Sequence, residues 1–265
     1  MEWEATLSKM STYLFGEVHY LLKTDADFVH LNPLMGRKIG LKFLNEKFCS
    51  ACGQQFSELF RMGFCKNCFF TVPQAGESII NPEKSRAHEG VEDRDLEFEK
   101  NYQLRPHVVY LAVSGDLKVG VTRQSQMMTR WADQGAVQAM VFAETQNRYQ
   151  AGLVEVDMKQ HLGDKTPWQR MLKYEDKTYD LQKIKSEYAP KLKRELREYF
   201  SEDQEVHELK YPHLEIPEKV KSVNLDKEPE IESKLLGIRG QYLVFEGGKV
   251  FNVRRHSGFR IGLSI

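Results

Sequence analysis

The chain has 265 residues, 41% hydrophobic and 29% charged, which is the composition of a globular protein and excludes a disordered or collagen-like one. Its 38 basic and 38 acidic side chains cancel, which excludes a strongly cationic binder overall but leaves local basic patches open. No apolar run is long enough for a transmembrane helix, and the acidic residues 1–4 lack the apolar segment of a secretory signal. We therefore expect no membrane span, and the reduced cysteine thiols expected below indicate a cytoplasmic protein.

The N-terminal part, residues 1–47, is rich in β-branched and aromatic residues and predicts strands at 13–22, 28–31 and 39–44. The pattern Gly-Arg-Lys-Ile-Gly-Leu at 36–41 is similar to Gly-Phe-Arg-Ile-Gly-Leu at 258–263. Chance is one explanation of this similarity. The other is that both chain ends contribute related strands to one small β domain.

All four cysteines fall within one short segment, which predicts a zinc ribbon at residues 48–72. Cys49, Cys52, Cys65 and Cys68 form two Cys-x-x-Cys pairs with twelve residues between them. This spacing is typical of two knuckles that hold one tetrahedral zinc ion, and Gly53 permits the turn after the first pair. Four thiolates would close the coordination sphere, which indicates a structural ion. The alternatives are a redox dithiol or two unrelated pairs.

The middle of the chain divides into a connector and a mixed unit. Residues 73–102 are acidic, lack a clear hydrophobic period, and are expected to form loops or weak helix at a domain boundary. Residues 103–176 predict a small α/β unit. Its expected elements are a hairpin of strands 108–113 and 117–121, a helix at 125–134, a strand at 137–143 and a helix at 148–162.

The last third predicts a charged helix, a linker and a return to strands. Residues 177–202 carry apolar side chains at intervals of three and four, and Pro190 should kink the helix they predict. Residues 203–234 are polar and are interpreted as a linker. Strands are expected within 235–265, at 241–246, 250–254 and 259–264. The expected fold class is therefore α+β, with a small α/β sheet, a zinc ribbon and a β domain built from both chain ends.

The hairpin-helix-strand-helix unit resembles the GIY-YIG nuclease superfamily over about seventy residues. The first motif would end at Tyr110 in Val-Val-Tyr, and the second would be Lys-Val-Gly at 118–120. The family's helical arginine matches Arg130, and its metal-binding glutamate matches Glu155. One departure is that Lys118 stands where the second motif has tyrosine.

The resemblance implies a phosphodiesterase site that depends on Mg²⁺. Glu155 would hold the ion, Tyr110 would orient or deprotonate a water, and Arg130 would clamp the phosphate. Lys118 would lower the pKa of Tyr110 or bind phosphate itself. Each residue has an ordinary structural alternative. Tyr110 could be core, Glu155 could pair with Lys159 one helical turn later, and Arg130 and Lys118 could be solvated.

The chain as a whole is also similar to a bacterial family of uncharacterised proteins. Members of that family combine a GIY-YIG-like unit with zinc-binding cysteines and with β modules at the chain ends. Relatives carry further cysteines in the connector, whereas residues 82–89 of this chain contain none. The segments that carry the similarity are 109–112, 118–123, 130–136, 164–168 and 237–243.

Basic residues near aromatic residues favour a nucleic acid as partner, with RNA and DNA both open, because phosphates and bases can be bound together. Trp131 has a core position as its alternative interpretation. The proposed contacts are Arg123, Trp131, Arg148, Lys165, Arg254 and Arg255. Three functions remain open: a metal-dependent nuclease, a catalytically silent RNA- or DNA-binding module, and a scaffold that docks another protein.

Overall fold

The computed structural model describes all 265 residues as a mixed α+β fold of fourteen strands and seven α-helices, joined by loops and short 3₁₀ turns. No helix is both long and apolar enough to cross a membrane. The strands are β1 (Glu2–Thr6), β2 (Ser11–Phe15), β3 (Glu17–Lys23), β4 (Phe28–His30), β5 (Lys38–Lys47), β6 (His107–Ser114), β7 (Asp116–Arg123), β8 (Gln138–Thr145), β9 (His207–Glu208), β10 (Lys221–Val223), β11 (Glu230–Arg239), β12 (Tyr242–Phe245), β13 (Lys249–Asn252) and β14 (Phe259–Ser264). The helices are α1 (Lys66–Thr71), α2 (Glu77–Ile80), α3 (Leu96–Gln103), α4 (Met127–Asp133), α5 (Arg148–Lys159), α6 (Trp168–Leu172) and α7 (Leu181–Tyr188).

The largest sheet has seven strands and joins the two ends of the chain. Its order is β1-β14-β5-β11-β12-β13-β10. The two similar hexapeptides lie on neighbouring antiparallel strands, with Leu41 opposite Leu263 and Lys42 opposite Gly262. The polar segment 203–234, which we interpreted as a linker, contributes β9, β10 and the first half of β11. The linker interpretation was wrong because edge and half-exposed strands need few apolar residues.

A second sheet has the order β2-β3-β4. The predicted single strand at 13–22 is a hairpin, because Gly16 adopts a φ of +73° at a tight turn that the sequence pattern does not mark. Val18, Tyr20 and Leu22 place one face of this sheet in the core. The other face is open to solvent.

The central sheet has the order β7-β6-β8-β9 and contains the predicted hairpin, β6 and β7. Strand β6 is buried along its whole length, because α5 covers one face and α4 the other. Tyr110 and Trp131 belong to one hydrophobic cluster with Ile39 and Phe251 of the large sheet. The predicted boundary of the α/β unit therefore does not coincide with a break in the core.

The acidic connector packs directly on α5. A Cβ atom added to Gly152 would lie 2.2 Å from the backbone nitrogen of Glu83, so only glycine permits this approach. After α7, the chain turns at Pro190 into short 3₁₀ segments, so the predicted long helix ends at Tyr188. The connector and these segments enclose the helix that carries Glu155.

A buried ion pair ties the large sheet to the central unit. The Arg239 guanidinium, 1% exposed, donates to both carboxylate oxygens of Asp176 at 2.7 and 2.8 Å. It also donates to the carbonyl oxygens of Gly135 and Met171. This pair crosses from β11 to the loops around α4 and α6.

His107, at the start of β6, predicts how stability changes in acid. Burial, reinforced by Arg148 and Arg123, lowers its pKa to about 4, while its Nδ1–H donates to the Arg105 carbonyl oxygen at 2.7 Å. Because the unfolded histidine binds a proton near pH 6.5, the free energy of unfolding should fall as pH decreases from about 6.5 to 4, by up to about 3 kcal/mol. Urea unfolding at pH 7 and pH 5 measures this loss.

The variant His107→Gln should lose less stability between pH 7 and pH 5 than the wild type. His161→Gln, at an exposed histidine, is the matched control and should keep the wild-type loss. Equal pH dependence in wild type and His107→Gln would contradict the assignment.

Candidate metal centre and basic cavity

The four cysteines form the candidate metal centre. Their sulfur atoms lie within 4.8 Å of one another, and none forms a disulfide. A tetrahedral ion with Zn–S bonds of about 2.3 Å separates its sulfurs by about 3.8 Å, so the group fits a metal such as zinc. Cys49 follows β5 and Cys65 caps α1, which brings the two pairs together.

Backbone amides donate hydrogen bonds to two of these sulfurs. The amide of Cys65 donates to the Cys49 sulfur at 3.2 Å, and that of Cys68 donates to the Cys65 sulfur at 3.4 Å. Burial alone would raise the pKa of Cys49, but the amides of Cys52, Cys65 and Ala51 bring it down to about 6. Thiolates are the form in which cysteine binds metal.

The metal centre is packed against both the end and the middle of the chain. Gly258 lies so close to the carbonyl oxygen of Phe48 that an added Cβ would be 2.5 Å from it. On the other side, Arg94 of the connector donates to the carbonyl oxygens of Phe69 and Val72 at 2.8 Å. The centre therefore positions the loop between its two knuckles against the rest of the protein.

The loop between the two cysteine pairs, which we call the knuckle loop, contributes Met62 to the wall of a cavity of about 480 Å³. We call this cavity the basic cavity. The cavity is formed where five regions meet: the N-terminal part, the knuckle loop, the connector, the central unit and the C-terminal β part. It contains five basic side chains and one acidic one. Its lining residues are Lys9, Met62, Ile79, Ile80, Tyr102, Val121, Thr122, Arg123, Gln126, Thr129, Arg130, Asp133, Arg148 and Arg254.

The charge of the cavity is not neutralised by the protein. Asp133 is the only carboxylate, and it is already bound by Lys9 and by the Gln241 side-chain amide. Arg130 and Arg254 form no ion pair, and the Nε atom of Arg130 is buried without a hydrogen-bond partner. Unpaired buried donors are costly, and an anion in the cavity can accept hydrogen bonds from them.

The other two arginines are held in place by their surroundings. Arg123 donates to Gln126 at 2.7 Å and lies 4.3 Å above the ring of Tyr102, while its Nε is also buried without a partner. Arg148 donates to the carbonyl oxygens of Ser78 and Ile79 at the end of α2. Burial and the neighbouring Arg130 and Arg123 lower the pKa of Arg148, although its Tyr102 and Glu155 neighbours oppose this shift.

Of the four residues that we assigned to catalysis, only Arg130 lines the cavity. Tyr110 is fully buried and donates from its hydroxyl to the side-chain oxygen of Gln134 at 2.9 Å. Its ring lies over Gly120, where an added Cβ would be 2.6 Å from the hydroxyl oxygen. Burial raises the pKa of Tyr110, and the nearby Arg130 partly opposes that shift.

Lys118 and Glu155 are also enclosed. Lys118 is 3% exposed and donates to the Thr166 hydroxyl at 2.6 Å; burial, with Arg130 nearby, lowers its pKa to about 7. The Oε2 atom of Glu155 lies 3.2 Å from the Nζ of Lys159. Glu155 therefore forms the ion pair that we gave as the alternative to a metal-binding role. Burial raises its pKa, which Lys159 opposes. The cysteines are the only gathered group of three or more metal-binding side chains, so Glu155 has no such set around it.

The predicted nucleic-acid contacts divide into three groups. Trp131 is 0% exposed and belongs to the core, so the stacking role assigned to it was wrong. Lys165 and Arg255 are exposed but lie outside the cavity. The contacts that line the cavity are Arg123, Arg148 and Arg254.

Sequence reasoning missed the rest of the cavity. Lys9, Met62, Tyr102 and Thr129 come from four distant segments, and none stands in a motif. The sequence signal nearest to them is the local excess of basic residues around the central unit. That signal identifies basic residues but does not show which of them line the same cavity.

Fold and site together define an α+β protein in which a four-cysteine group that could hold a metal ion lies near a basic cavity. A family model described as "Protein of unknown function (DUF2797)" matches residues 36–261. Since this match spans most of the chain, the protein belongs to the DUF2797 family. No curated protein and no solved structure gave a significant match.

Proposed function

We propose that this protein binds nucleic acid by holding backbone phosphate in the basic cavity, with a zinc ion at the four cysteines as a structural support. The observation that carries the proposal is the gathering of Arg130, Arg254 and Arg123 around one space, where the Nε atoms of Arg130 and Arg123 are buried without an acceptor. Guanidinium groups bind phosphate through paired N–H donors. The preferred function is thus a catalytically silent binding module.

A GIY-YIG-like nuclease is the second candidate, favoured by the electrostatic proximity of Tyr110 to Arg130 and Glu155. Two observations favour binding over cleavage. Tyr110 and Lys118 are shielded from solvent, and Glu155 is already paired with Lys159. A Mg²⁺ ion would need open positions for phosphate and water, which this enclosure does not offer.

The variant Arg130→Gln tests the binding function. It should weaken binding of a fluorescein-labelled single-stranded 12-mer about tenfold, because one phosphate contact is removed and the half-buried position loses its charge. The slope of log Kd against log salt should become shallower by about 0.7, the value expected for one phosphate contact on a single strand. Fluorescence anisotropy over a series of salt concentrations measures both, with Mg²⁺ present, and the oligonucleotide should stay intact.

Arg37→Gln is the matched control, since Arg37 is exposed and lies outside the cavity. It should bind as the wild type does. Equal affinities for Arg130→Gln and wild type would refute the assignment of the cavity. Cleavage that requires Mg²⁺ and disappears in Glu155→Ala would establish the nuclease instead.

A further inference from the structure

The open face of the β2-β3-β4 sheet is lined by aromatic and imidazole rings. Tyr13, Phe15 and Phe28 are 43%, 80% and 50% exposed, and they share this face with His19 and His30. The register explains why: Tyr13 lies opposite His19, and the residues next to each of these point into the core or to the other face. We call these five residues the aromatic face.

The rings of the aromatic face are ordered rather than loose. The rings of Tyr13 and His19 are stacked, with centroids 4.8 Å apart and planes inclined by 10°. His19 Nδ1 and His30 Nε2 lie 3.0 Å apart, and the other nitrogen of His19 is 3.2 Å from the carbonyl oxygen of Phe15. These hydrogen bonds fix the imidazoles across three strands, so the face is preorganised for flat ligands.

The aromatic face begins a few residues along the chain from the basic cavity. Lys9, which lines the cavity and binds Asp133 of α4, lies two residues before β2. Strand β2 in turn packs against α4, the helix that carries Arg130. At about 3.3 Å per residue, Tyr13 lies roughly 13 Å along the strand from Lys9, a distance that two or three nucleotides span.

We propose that the aromatic face stacks the bases of a single-stranded nucleic acid whose backbone phosphate is held in the basic cavity. This inference rests on the proposed function of the cavity and names its substrate class. Unpaired bases stack on exposed tyrosine, phenylalanine and histidine rings, whereas the bases of a duplex are already stacked on each other. Glu17 and Lys23, which lie opposite Phe15 and Phe28 on this face, cancel in charge, so the face contributes base contacts while the arginines contribute phosphate contacts.

Two probes with the same number of phosphates distinguish the base contacts from the phosphate contacts. One is a labelled single-stranded oligothymidine 12-mer, and the other is a 12-mer of abasic residues. Tyr13→Ala should weaken binding of oligothymidine about tenfold, since stacking is worth about 1–3 kcal/mol per base, and should leave the abasic 12-mer unchanged. Phe15→Ser, at the most exposed ring, is a second variant with little risk to folding. Leu14→Ala is the matched control, because Leu14 is exposed on the opposite side of the same strand.

The outcomes distinguish this inference from the function on which it rests. Arg130→Gln should weaken both probes; if it changes neither while Tyr13→Ala weakens oligothymidine alone, the cavity assignment fails and the stacking face stands. Unchanged oligothymidine binding in both ring variants, or equal loss on both probes, overturns the stacking face. So does a wild-type dimer in light scattering that Phe15→Ser converts to monomer, because the face would then bind a second copy of this chain.

Discussion

Replacement of Asp176 by alanine is expected to lower the free energy of unfolding by about 3–5 kcal/mol, because it leaves a buried arginine without its counter-charge. The Arg239 guanidinium is 1% exposed, and both carboxylate oxygens of Asp176 accept from it. The Gly135 and Met171 carbonyl oxygens remain but carry no full charge. Urea unfolding at pH 7 measures the loss.

The neighbouring ion pair of Lys173 and Glu175 provides the control. Its nitrogen–oxygen distance is 2.7 Å, similar to that of the buried pair, but the Glu175 side chain is 54% exposed. Glu175→Ala should therefore cost less than about 1 kcal/mol. If the two variants lose similar stability, burial does not set the strength of the Arg239 pair, and its role in joining the sheet to the central unit is refuted.

Local patterns predicted those elements whose signal lies within a few residues. The β6–β7 hairpin follows from two apolar runs around Ser-Gly-Asp, and α5 begins where Asn147 caps it. The hexapeptides at 36–41 and 258–263 lie on neighbouring strands, since both chain ends enter one sheet. The strands of segment 203–234 were missed because their pairing partners, not their own composition, make them strands.

The candidate site was predictable only where one segment holds all its residues. The cysteines meet that condition, because their spacing alone specifies which groups converge. The basic cavity does not, since Lys9 and Arg254 are 245 positions apart and meet only through the fold. Trp131 shows the opposite error. Its basic neighbours in sequence suggested a surface position for its ring. The ring is instead buried, and the basic residues lie on the other face of the helix.

Removal of the metal is expected to have the second large effect. Purified protein should contain one zinc ion per chain, and Cys65→Ser should lose it, because three thiolates and a hydroxyl bind zinc far more weakly than four thiolates. Structural zinc supplies folding energy of about 10 kcal/mol or more in isolated knuckle peptides, so residues 48–72 should unfold. The two main hydrophobic clusters contain none of the cysteines and should persist. Circular dichroism and metal analysis measure these outcomes.

Loss of the ion should also reach the basic cavity, because Met62 of the knuckle loop lines it and Arg94 ties the connector to α1. Cys65→Ser should therefore bind the single-stranded 12-mer more weakly, while Ala51→Ser, at an exposed position between two ligands, should keep both zinc and affinity. Protein purified without chelator that contains no metal would remove the zinc assignment. Retained affinity in a zinc-free Cys65→Ser would instead show that the cavity does not depend on the metal centre, since the arginines would then hold their positions without the knuckles.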